Sequence, residues 1–85
     1  MIDHQFMMDG HHYTITQHGA GRRVTFLCRD YNDVGIAVVT LDEAGEYLIA
    51  DNPHNLDHTE RHYVTDDEPL HLQAESVTRS LISGM

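Results

Sequence analysis

The chain has 85 residues, of which 40% are hydrophobic, with 14 acidic side chains against five arginines, no lysine and a formal net charge of −9. That length supports one small domain with a single core and leaves little room for a deep catalytic cleft. The charge excludes direct binding to a phosphate backbone or an anionic membrane, which needs lysine or arginine to neutralise phosphate, and favours encounter with a basic protein surface instead.

The opening "MIDHQFMMDG" carries neither the basic region nor the apolar run of a secretory signal. No stretch approaches the ~20 apolar residues of a membrane span. The expectation is therefore a soluble, cytoplasmic protein with no membrane partner. Asp9-Gly10 joins two patterned segments and suits a type I′ hairpin, because both central residues of that turn take positive φ. Strands are expected at about residues 4–8 and 11–17, with Tyr13 and Ile15 facing one way. His4, His11 and His12 fall on this hairpin, but adjacent strand residues point to opposite faces, so His11 and His12 do not form one site.

Gly19-Ala20-Gly21 breaks the run; it is too short for a phosphate-binding fingerprint and reads as a turn. A third strand over 22–29 alternates Val24, Phe26 and Cys28 onto one face. Cys28 is the sole cysteine, so no internal disulfide exists, and it reads as a small buried hydrophobe. "DYNDVG" resembles a calcium loop only superficially: Val34 and Leu41 stand where oxygen ligands are required, so the segment reads as a turn. The most apolar strand is expected over 34–41 and a fifth over 46–50, with Gly45 in the turn between them. Short connections favour antiparallel neighbours and hence a meander.

Beyond Ala50 the chain turns polar. Asn52 is a good N-cap and Pro53 a good first helical residue, which predicts a short helix over 53–62. On it His54, His58 and His62 form a stripe at i, i+4 and i+8, with Leu56 and Tyr63 towards the core. Three histidines on a straight helix span about 12 Å, so one ion can take two of them at most. Asn55 stands where the glutamate of a hydrolytic zinc motif belongs. Thr65 and Glu68 have capping-box spacing, and Leu70, Ala74, Val77 and Leu81 make one apolar stripe, which predicts a C-terminal helix over about 67–83.

These elements assemble into an α+β fold: a single domain, an antiparallel meander of about five strands packed by a C-terminal helix. No nucleophile elbow, phosphate loop or paired-cysteine motif is present. The leading functional expectation is a small acidic interaction module, an inhibitor or adaptor that engages a basic surface such as a nucleic-acid-binding groove on a partner protein. Its contact residues would be Asp57, Glu60, Asp66, Asp67 and Glu68. No cofactor is expected on that reading. A histidine-rich protein binding or sensing zinc or nickel through His54 and His58, with His62 a further ligand, is the first alternative. A small enzyme or an accessory subunit of one is the second. An exposed edge, the first or fifth strand, could pair into a homodimer. Eight histidines make the field pH-sensitive: protonating all of them would carry the formal charge from −9 to −1.

Overall fold

A computed structural model describes residues 2–84. Six antiparallel strands run in chain order: β1 (Ile2–Met8), β2 (His11–His18), β3 (Thr25–Asp30), β4 (Gly35–Leu41), β5 (Tyr47–Asn52) and β6 (Asn55–Tyr63), followed by helix α1 (Leu70–Ser83). Each strand pairs with the next, so the sheet is an uninterrupted meander with β1 and β6 at its edges. A single domain with the helix packed on one face of the sheet is the α+β architecture expected, with one strand more.

The turns follow from side chains that bond their own backbone. Asp9 and Gly10 sit at φ 53° and 79°, the double positive φ of a type I′ turn. Asp30 Oδ1 accepts from the backbone N–H groups of Asn32 (2.9 Å) and Val34 (3.0 Å), which folds the β3–β4 turn. Asp42 Oδ1 does the same for Glu46 (2.7 Å) and Tyr47 (3.2 Å) between β4 and β5.

The helix 53–62 is not formed; β6 occupies that segment. The local signal is ambiguous for a physical reason. Asn52 Oδ1 accepts from the His54 N–H at 2.9 Å, a bond that can open either a helix or a turn. The open edge of β5 decides the matter, since pairing residues 55–63 along it satisfies backbone groups that a separate helix would leave bare. The fifth strand is therefore interior, and the two available edges are β1 and β6.

One face of the sheet is buried. Ile15, Phe26, Cys28, Ala37, Val39, Leu48 and Ala50 meet Ala74, Val77 and Leu81 of α1, all at or near zero exposure. The predicted helical stripe is the packed one. The helix starts at Leu70 rather than 67, and Pro69 is its N-cap with no side-chain cap bond. Proline disfavours helical φ/ψ in the residue before it, which keeps Glu68 out of the helix and leaves the Thr65/Glu68 box unformed. Gln73 takes over: its side chain accepts from the Thr65 N–H and donates to the carbonyls of Thr65 and Glu68, at 2.7–2.9 Å.

The sheet curls around the helix. Five inter-strand spacings in a flat sheet would hold β1 and β6 about 24 Å apart. A helix is only about 10 Å wide, yet His4 of β1 contacts Glu75 and His62 of β6 contacts Ser80 (3.2 Å), so both edges reach it. No helix among the described residues is long and apolar enough to cross a membrane.

Candidate functional site: an acidic corner with paired tyrosines

A meander alternates its turns between two ends of the sheet. The β4–β5 turn and the β6–α1 connection fall at the same end and are joined by the Val64 N–H donating to the Glu46 carbonyl at 2.8 Å. Asp42, Glu43 and Glu46 from the turn thus share a corner with Asp66, Asp67 and Glu68 from the connection. Asp42 is committed to its turn, whereas Glu43, Glu46, Asp66, Asp67 and Glu68 are exposed. Gln73 holds the connection from below through its bonds to Thr65 and Glu68, so the carboxylates stand on an anchored loop.

An aromatic pair borders this corner on the face of the sheet away from the helix. Tyr47 and Tyr63 are direct cross-strand partners with ring centroids 4.4 Å apart. The Arg61 guanidinium lies over the Tyr47 ring at 4.5 Å, a cation–π contact that fixes the inner ring. Tyr63 is 67% exposed. A dent of about 110 Å³ lies beside it, lined by His62, Tyr63, Thr65, Glu68, Gln73 and Ser76. An exposed tyrosine on a fixed aromatic partner, with Glu68 beside it, offers apolar contact area and acceptors together.

Of the five predicted contact residues, three lie at this corner. Asp57 is exposed on β6 six residues before Tyr63, about 20 Å away along an extended strand. Glu60 is on the helix side of β6 and half-buried. Asp42, Glu43 and Glu46 were missed, because only strand pairing brings residues twenty apart in sequence to one end.

The histidine stripe is inverted relative to the helical expectation. Leu56 is 79% exposed and Tyr63 faces outward, while His58 and His62 turn towards α1 and His54 is exposed in the β5–β6 turn. His58 packs on Gly84 so closely that an added Cβ would lie 2.8 Å from its Nε2. His62 Nε2 meets the Ser80 hydroxyl at 3.2 Å. Four residues along a strand span about 13 Å, so the helical spacing on which a two-histidine metal site depends is not present. Among the described residues no three histidine, cysteine or carboxylate side chains are placed to hold one ion.

A second polar cluster ties β1 to the helix. His4 Nε2 contacts Glu75 Oε1, and Arg79 Nε donates to Glu75 Oε2 at 2.7 Å. The His4 and His71 rings stand edge to face at 5.4 Å, and Arg79 lies over Phe6 at 4.8 Å. Burial pushes the Glu75 carboxyl up, but the bonds from His4 and Arg79 outweigh it and the net direction is down. Its i, i+4 spacing to Arg79 is visible in the sequence; the pairing with His4, 71 residues away, is not. Cys28 is fully buried and its thiol is pushed up to about 12, first by burial and then by the Asp30 charge, against a small opposing effect of Arg29. Such a thiol is not a nucleophile at neutral pH.

No protein-family model matches the chain, and no curated protein or solved structure is significantly similar to it.

Proposed function

We propose that the protein is a small acidic interaction module that binds a basic surface of a partner protein through the corner of Tyr63, Glu43, Glu46, Asp66, Asp67 and Glu68. The observation that carries the reading is the exposed Tyr63, paired with Tyr47 and sharing a dent with Glu68, at the end of the sheet where two joined loops expose five carboxylates. Tyrosine is enriched where interfaces concentrate their energy, and complementary charge speeds encounter. Arginine and lysine side chains of a nucleic-acid-binding groove match this surface: carboxylates accept from guanidinium and ammonium groups, and the aromatic face takes a cation. The module acts as an inhibitor or adaptor by occupying such a groove in the cytoplasm. The metal and enzyme readings gain no comparable support.

The test is capture from the native host's lysate at low salt with the wild-type chain as bait, followed by measured binding of the purified partner to it and to three variants. With affinities measured at about 0.15 M salt, Asp66→Lys with Asp67→Lys weakens binding, Tyr63→Ala weakens it, and Asp57→Lys leaves it within about twofold, as expected for a charge more than a Debye length of about 8 Å from the contact. Salt-independent binding, or equal binding by all three variants, overturns the reading.

A further inference from the structure

The opposite end of the sheet carries a different feature. The β1–β2 turn, the β3–β4 turn and the last turn of α1 meet around a cleft of about 620 Å³. That volume is in the range of small-molecule sites, about 300–1,000 Å³. Ile36 and Ile82 supply apolar lining, and Tyr13 and Tyr31 supply aromatic rings. The Tyr13 ring is held by stacking on Phe6, with centroids 5.2 Å apart. Tyr31 is 81% exposed and presents its ring to the cleft from the β3–β4 turn.

The charge inside is of one sign. Asp30 is the cross-strand partner of Tyr13 and lines the cleft. Its Oδ1 is fixed by the two turn N–H groups, while its Oδ2 has no hydrogen-bond partner among the described residues. Among the described residues no lysine or arginine lines the cleft. The Tyr13 hydroxyl is shifted up by burial first, and the Asp30 and Asp9 carboxylates add to the shift, so their negative potential is felt at the cleft wall. His11 and His12 also line the cleft and add acceptors when neutral.

We infer that this cleft binds a small organic cation: an amine with an aromatic or aliphatic body, its ammonium on Asp30 Oδ2 and its body between Tyr13, Tyr31 and the two isoleucines. A preoriented carboxylate, aromatic faces and an apolar lining are the parts that ammonium recognition uses. A small anion would be repelled by Asp30, and a neutral analogue would forgo the charge-assisted bond to its free carboxylate oxygen. The site is independent of the acidic corner, which lies at the other end of every strand.

The probe is tryptamine, titrated into the isotope-labelled 85-residue chain at mildly alkaline pH and followed by amide shifts. Saturable shifts are expected at Gly10, Tyr31 and Asn32, with tryptophol, the neutral alcohol, and indolepropionate, the anion, each weaker by at least about tenfold, which is the scale of one charge-assisted hydrogen bond. Asp30→Asn keeps the turn's acceptor and removes the charge; Tyr31→Ala changes an exposed side chain. Each weakens tryptamine binding by about tenfold while the amide spectrum stays that of the folded protein. Equal binding of tryptophol, saturable shifts centred on Glu46 and Asp66, or unchanged affinity in both variants overturns the inference.

Discussion

The two faces of the sheet differ although they share every strand. The face under α1 is apolar and closed: Phe26, Cys28, Ala37, Val39 and Leu48 have no measurable exposure. The other face carries Thr14, Leu27, Val38, Thr40 and Ile49 at intermediate exposure, with Tyr47 and Arg61 at its edge. The covered face holds the fold together, because removing apolar area from water scales with the area removed. The open face is apolar enough to pair well along the strands and polar enough to stay in water, which leaves its corner free for recognition. In the covered layer a polar group persists where it bonds, as Gln73 does with three hydrogen bonds.

The sharpest way to break this comparison is at two neighbours in β3. Phe26→Ala removes a fully buried ring and should cost about 3–5 kcal/mol in chemical denaturation. Leu27→Ala, one residue along and on the open face, should cost only about 1 kcal/mol. Equal losses would mean that the open face is covered in solution.

Gln73→Ala comes next. It strips the partners from the Thr65 N–H and from two carbonyls, and should cost about 2 kcal/mol. Hydrogen exchange should show faster opening of residues 65–68 in that variant, with the sheet amides still protected. Thr78 tests the same rule from the other side. It is fully buried and its hydroxyl has no partner among the described residues. Thr78→Val should therefore raise stability by about 1 kcal/mol, read as a higher midpoint in urea.

The smallest effect belongs to Glu75, at the margin of the covered layer. Its carboxyl is held below the usual range in the folded protein, so its ionised form favours folding. That contribution is complete above its unfolded pKa, near 4.3, and is lost as pH falls through the lower folded value. Glu75→Gln should flatten the acid limb of stability against pH by about 1 kcal/mol or less and change nothing at neutral pH beyond the loss of the pair itself. A flattening near neutral pH instead would assign the effect to another group.

Period-two alternation made the buried face legible at Tyr13, Ile15, Phe26 and Cys28, and period-3.6 spacing did the same for Ala74, Val77 and Leu81. Asp9-Gly10 was legible because its turn requires positive φ at both positions. Residues 53–62 were not legible. His54, His58 and His62 fit a helix by spacing, Asn52 and Pro53 fit a helix start, and the choice was made by the unpaired edge of β5. The acidic corner was half legible: Asp66, Asp67 and Glu68 stand out as a run, while Glu43 and Glu46 join them only through the Val64–Glu46 bond.

By itself, then, the sequence determined the local turns, the apolar periodicities and the net charge, all of which depend on residues within a few positions of one another. The tertiary structure decided the sixth strand, the inward turn of His58 and His62, the division of the carboxylates between two ends and two faces, and the cleft beside Asp30. Those features depend on which backbone edge is left unpaired and on how far the sheet must curl to cover one helix, and such constraints act between segments that no short window contains.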